Sequence, residues 1–422
     1  MKRRQPGTRL GQFAWLCLSG ILISGCGQAP SAIQTPTAGG VEGEVLRVTH
    51  LGNSGPGSLR AALAARSPRL VIFDVGGVID LKGEDLEISS PHLTVAGETA
   101  PAPGITIIRG GIRVHSHDVE LTHLRIRPGD EGPNPDDIWM PDGISVEGPA
   151  GHHVRVGHCS LTWAVDENLS ATGPETGPTS HDILFHDNLI AEGLRASTHP
   201  KGRHSMGVLI HDHVSRVVLA RNLFVHNDGR NPRIKQGASG LVINNVIHNP
   251  GAGAIVVGSS QSARHPGTAA EPANVVAIGN VLTPGPDSPA ALALVKGSGH
   301  LHLDGNLHLR GDGAHGPIEE GSFVRMRDAG ITAPGFLRLS AKATHEYVLR
   351  RAGAQPWQRD AIDQRIVDSV ATRSGRIIDS QEQVGGYPVI SSSQRSLEVP
   401  PRGRREWLAS LVPEKYRQTV QP

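Results

Sequence analysis

At 422 residues and a formal charge of +1, the chain carries no global field that would draw it to nucleic acid, so a charge-based function has to be local. Aromatics are 3% of residues against 52 glycines and 31 prolines, which excludes a fold of long helices and points to many turns.

The chain opens on a targeting segment. Lys2, Arg3 and Arg4 precede an apolar run over 13–25 that is short for a bilayer span. The run ends Ile23-Ser24-Gly25-Cys26, small residues before a cysteine, as in a bacterial lipobox. Residues 1–26 then form a lipoprotein signal peptide, Cys26 carries lipid, and the protein is anchored in a bacterial cell envelope. An ordinary secretory signal, giving a secreted protein, is the other reading. With Cys17 removed and Cys26 lipidated, Cys159 is the single remaining thiol and no intrachain disulfide forms. Residues 27–43 are small, polar and rich in Pro and Gly, and read as a flexible tether.

Ser58 is placed to N-cap a short amphipathic helix ahead of a strand over 70–75. Such a helix would close the open end of a coil. β-rich runs then recur at 119–126, 154–161, 183–190, 217–224, 241–248, 275–282 and 301–308, each followed by a polar or Gly/Pro loop. Aligned on one another, they put Leu124, Cys159, Asn188, Asn222, Asn245, Asn280 and Asn306 in one column. Strand-sized repeats without intervening helices predict an all-β solenoid over 44–330, with stacked Asn amides at one bend. After about residue 330 the pattern becomes partly helical, with Ile362, Ile366, Val367 and Val370 on one face. Residues 331–422 are expected as an appendage along the coil and over its C-terminal end, weakly ordered from Ser391.

Acidic and basic groups fall in successive segments of this coil. Asp142 comes first, then Asp166-Glu167, then 199–207 with Lys201 and His204, then 230–237 with Arg230, Arg233 and Lys235. Stacking would set them side by side as a site for a divalent cation and an acidic sugar. Low aromatic content suits a polyanion gripped by charge. The other histidines, His181, His186, His211 and His213 among them, show no compact metal-binding spacing and read as stacked surface residues.

The segments GPGSLRAAL, LRIRPGD (124–130), HCSLTWAVDENLS (158–170), HPKGRHSMG and RNPRIKQG, with RDAID and VGGYP (384–388) later, resemble those of bacterial pectate lyases of polysaccharide lyase family 1. The resemblance spans roughly 45–385. It implies a right-handed parallel β-helix that cleaves α-1,4-linked polygalacturonate by calcium-assisted β-elimination. It implies Arg230 as base, through the pattern Arg230-x-Pro232-x-x-Lys235, with Lys235 where the family has arginine. It implies Lys201 and Lys235 as substrate-binding, and Asp142 and Asp166 as calcium ligands. Ser170 stands where a further acidic ligand is expected, so Glu167 or the acidic loop 130–137 has to compensate. Arg233 and His204 are added as substrate contacts.

Read without the resemblance, Arg230 is equally compatible with a salt bridge, and Asp142, Asp166 and Glu167 with solvated turns. A non-catalytic β-helix that binds acidic polysaccharide is the alternative function. A glycoside hydrolase would need convergent carboxylates without the basic cluster. The expected partners are an acidic polysaccharide and a lipid anchor, with no nucleic acid and a monomeric state.

Overall fold

The computed structural model describes residues 1, 31–32, 37–134, 138–174, 177–258, 271–327, 331–333 and 335–417. Cys26 and the expected signal segment lie outside the described residues. Among those described, no helix is long and apolar enough to cross a membrane.

Each coil is three short strands, for example Ile112–Val114, Val119–Thr122 and Leu124–Arg127. The next coil repeats them at Ile144–Glu147, His152–Gly157 and Ser160–Thr162, paired in parallel with the first. Stacked coils produce a sheet of 18 strands over two faces and one of 10 over the third. The chain is a right-handed parallel β-helix. Inward side chains such as Ile107, Ile126, Leu161, Ile190, Phe224 and Ile247 form one continuous core with no exposed surface. Apolar burial is the dominant favourable term in holding such a stack together.

One corner repeats along the coil. His123, His158, Asp187, Arg221 and Asn244 all have left-handed backbone, with φ between 52° and 56°. The residue after each is the column seen in the sequence. The Oδ1 of Asn188, Asn222, Asn245, Asn280 and Asn306 accepts the backbone N–H of the preceding column member at 2.8–3.0 Å. Each Nδ2 donates to a carbonyl of the preceding coil, from Val156 to Ala277. The left-handed turn strips these backbone groups of ordinary strand partners, and the amide replaces both.

The N-terminal helix is Leu59–Ala64, capped by Ser58, whose Oγ accepts from Ala61 N–H at 3.1 Å. Its Leu59 and Leu63 enter the core. Of the segment expected as tether, residues 37–43 pack against the coil: Val41 is buried with Leu70 and Ile72, and Gly40 N–H donates to Thr94. The appendage runs along the side of the coil. Helices Ala341–Arg351 and Ala361–Thr372 lay Val348, Ile366 and Val370 on Leu189, Leu223 and Val246. From Ser391 to Arg417 the chain packs back onto the coil. Ser393–Gln394 pairs antiparallel with Val75 and Gly76, and helix Arg404–Leu411 buries Leu408 against Leu70 at the N-terminal end.

Asn222→Ala should lower unfolding free energy by about 2–4 kcal/mol, because it orphans the buried Asn188 amide and the Phe185 carbonyl. Asn306→Ala, at the partly exposed end of the ladder, should cost less; denaturant titration of both variants checks the order.

Candidate functional site

The site lies on one face of the 18-stranded sheet, where consecutive coils come too close for side chains at their turns. A Cβ on Gly111 would sit 2.1 Å from the Asp142 carbonyl oxygen, and one on Gly143 would sit 2.3 Å from that of Asn168. These glycines let the turn carrying Asp142 nest against the one carrying Asp166 and Glu167. Asp142 Oδ1 accepts the Glu167 N–H at 2.9 Å, and its Oδ2 accepts the Ser170 hydroxyl at 3.2 Å. Glu167 begins the strand Glu167–Thr172 and sits opposite Met206 of the next coil. Carboxylate oxygens of Asp142, Asp166 and Glu167 all lie within 4.8 Å of one another.

One coil beyond Met206, Arg230 has left-handed backbone (φ 56°) and directs its guanidinium onto the Glu167 carboxylate as an ion pair. A second run of asparagines underlies this point. Asn168 donates to Asn227, Asn227 to Asn231, and Asn231 to the Gly253 carbonyl. Arg230 and Arg233 open onto a cleft of about 610 Å³ that continues along the coil axis. The buried Nε of Arg233 has no hydrogen-bond partner within the protein.

The two aspartates are driven apart electrostatically. Burial, then the neighbouring Asp166 charge, pushes the Asp142 carboxyl well above the usual carboxylate range. Burial acts the same way on Asp166. There the His204 hydrogen bond and charge, with His199 and Arg230, outweigh it and hold the pKa below the usual value. Burial lowers the Arg230 guanidinium against the opposing pull of Asp166, and Arg233 lowers it further.

The structure therefore gathers Asp142, Asp166, Glu167, Arg230 and Arg233, and treats three other expected residues differently. His204 is buried, with Nε2 2.6 Å from Asp166 Oδ1, so it orients an acid and does not face the cleft as a substrate contact. Lys235 pairs with Asp212 at 3.0 Å and hydrogen-bonds His211, off the cleft lining. Lys201 is exposed on the turn beside His199. Of the acidic loop meant to compensate for Ser170, Asp130 is tied to Gln381 at 2.6 Å and residues 135–137 lie outside the described residues.

The oxygen-only set of Asp142, Asp166 and Glu167 suits a hard cation. An Asp142 pushed toward its neutral form marks negative charge that the protein does not itself balance, which is what such an ion would supply. His199, missed in the sequence, stacks on His204 with ring centroids 3.9 Å apart. Its Nδ1 accepts the Lys201 N–H, so its proton is on Nε2, toward Asp166. Together these two histidines hold Asp166, and the three offer ligand atoms within 4.8 Å of one another. The remaining histidines divide: His117, His152 and His181 stack along an outer corner, while His186 is fully buried beside Asp187.

Because the folded Asp142 pKa exceeds its unfolded value, the native state binds more protons above about pH 4 and loses stability as pH rises from there. Asp142→Asn should therefore raise the melting temperature in chelator at pH 7–8 but not at pH 4. The same variant should lose the increment that a divalent cation gives the parent protein, read by thermal melts with and without the metal.

No family profile matches the chain. Among curated relatives, proteins named probable pectate lyase C match at 30% identity over 362 residues in Emericella nidulans and 31% over 363 in Aspergillus flavus. Each match covers 82% of this chain, and 76% and 78% of the respective relatives. A putative pectate lyase of Arabidopsis thaliana matches at 26% over half of the chain. These relatives are fungal and plant, and give no support to a bacterial origin. Among solved structures, the major allergen of cedar pollen superposes with TM-score 0.53 at 19% identity, covering 74% of this chain and 88% of that one. A Bacillus subtilis pectate lyase superposes with TM-score 0.51 at 14% identity, covering 76% and 95%. The chain belongs to the pectate lyase family of polysaccharide lyases.

Proposed function

We propose that the protein cleaves polygalacturonate by β-elimination, with calcium held by Asp142, Asp166 and Glu167 and with Arg230 as base. The observation that carries this reading is the meeting of three carboxylates with a buried arginine at the mouth of a cationic cleft.

Elimination removes the proton on C5 of a uronate, forms the C4–C5 double bond and expels the O4 glycosidic oxygen. Calcium, when bound, neutralises the uronate carboxylate and so supports the negative charge that develops beside it. Arg233, which lines the cleft beside Arg230, is placed to bind the same or a neighbouring carboxylate. Asp166 stays ionised because His204 and His199 hold it, which keeps the acid set ready for a cation. Arg230 has to give up a proton before it can accept the one from C5. Burial lowers its pKa, while the charges of Asp166 and Asp142 favour the charged form. The neutral fraction therefore grows with pH, and the reaction is expected to speed up in alkaline solution.

Lys201, exposed on the turn beside His199, is a substrate contact in this reading, and Lys235, off the cleft lining, a weaker one whose charge is shared with Asp212. The lipid anchor on Cys26 and a place in a bacterial cell envelope rest on the segment 23–26 alone. A protein released by an ordinary signal would carry the same site.

Ultraviolet absorbance of a polygalacturonate digest tests the reading directly, since the C4–C5 double bond absorbs. The rate should rise above pH 8, vanish with chelator, and fall by about 10²–10⁴ in Arg230→Ala. Arg233→Ala should raise KM more than Lys235→Ala does. A folded protein that binds the polymer without making absorbing product would overturn the lyase assignment.

A further inference from the structure

Resting on that reading, we propose that the cleft holds a second carboxylate-binding position at Lys296, which takes a uronate residue of the same strand further along the coil. The strand register carries the argument. Arg233 pairs with Val256, and Val256 with Lys296, so the three stand in one row on consecutive coils. Their chain neighbours Ile234, Ile255, Val257 and Val295 are buried in the core, which turns this row outward. Arg233, Val256 and Lys296 all line the cleft that opens at Arg230. Two inter-coil steps separate the cations, about 10 Å at the usual strand spacing. A polyuronate lying along the axis presents carboxylates repeatedly at such intervals, and Val256 offers its sugar rings an apolar floor.

Lys296 is placed for this role. Its Nζ donates to the Ala252 carbonyl, which fixes the ammonium over the turn beside the cleft. Gly253 makes room for it: a Cβ there would lie 2.9 Å from Lys296 Cε. Two acids share the cleft. One is Asp228, beside Arg230, whose carboxyl burial raises above its ordinary range. Glu320, paired with Lys296 in the next coil, is exposed and repels a further uronate, so the cationic row ends at Lys296.

The test compares the full-length protein with Lys296→Ala, Lys296→Gln and Gly253→Ala on galacturonate oligomers of increasing length and on the polymer. KM for the polymer should rise about five- to tenfold in the Lys296 variants, the scale of one charge-assisted contact, with kcat unchanged. Short oligomers that cannot reach from Arg230 to Lys296 should show no change. Gly253→Ala keeps the charge but displaces the side chain, and should reproduce the length dependence more weakly. Equal KM at every length, or an equal loss at every length, would overturn the proposal. Retardation in gels containing polygalacturonate separates this from the lyase reading. If the parent protein makes no product yet is retarded more than Lys296→Ala, the position stands and the chemistry falls. Equal retardation removes the position whatever the chemistry.

Discussion

A parallel β-helix depends on each coil satisfying the next. No coil can close its own backbone hydrogen bonds, so every turn has to present its polar groups to a neighbour in the same register. At the corner of left-handed residues that demand is hardest to meet, because the N–H and C=O on either side point out of strand geometry. The ladder from Asn188 to Asn306 meets it with one side chain per coil that both accepts and donates. With the corner fixed, the opposite face inherits its register, and the rows that contain Ser145, Ser170 and Arg233 come into line. The site is a consequence of that alignment.

The appendage is locked to the coil by buried charge. Arg127, fully buried, forms ion pairs with Asp360 at 2.6 Å and Asp363 at 2.8 Å, and Arg125 lies 3.5 Å from both. Asp363 also accepts the Ser160 hydroxyl at 2.6 Å. Burial alone would disfavour the Arg127 charge, and the two aspartates reverse that. Such a cluster adds little net stability over an apolar contact, but breaking one member is costly, so it serves to fix how the helices dock. Glu192 with Arg365 repeats the device two coils further along. The two sequence segments LRIRPGD and RDAID, far apart in the chain, are thus the two halves of one interface.

Much of this was legible before any coordinates. The Asn column was visible because a buried amide at a fixed corner tolerates few replacements, so the residue type itself keeps the period. The family's motifs singled out the acids and Arg230, and the coil brings them together. What could not be read was direction. His204 next to Lys201 looks like a surface histidine, and only the fold turns it inward onto Asp166. Arg233 and Lys235 alternate with a core residue, Ile234, so both face outward, and the sequence does not say that Asp212 captures the lysine. His199 and the run Asn168–Asn227–Asn231 gave no periodic signal, because their contacts join turns of unequal length. The ordered C-terminal stretch was missed for a related reason. Its buried Leu408 packs on residues more than 300 positions earlier.

The site departs from the logic of the rest of the coil. In the asparagine ladder and the Arg127 cluster, buried polar groups meet partners of opposite character. Here Asp142 and Asp166 share a small volume, and only Asp166 has imidazoles to hold its charge. Two neighbouring carboxylates with pKa values pushed apart store repulsion in the folded state. A scaffold of stacked coils can bear that locally because each rung is held on both sides by its neighbours. A cation held among the acids would relieve that repulsion. The aspartate pair is thus the place where the rigid coil holds like charges together, beside the ion pair of Arg230 with Glu167.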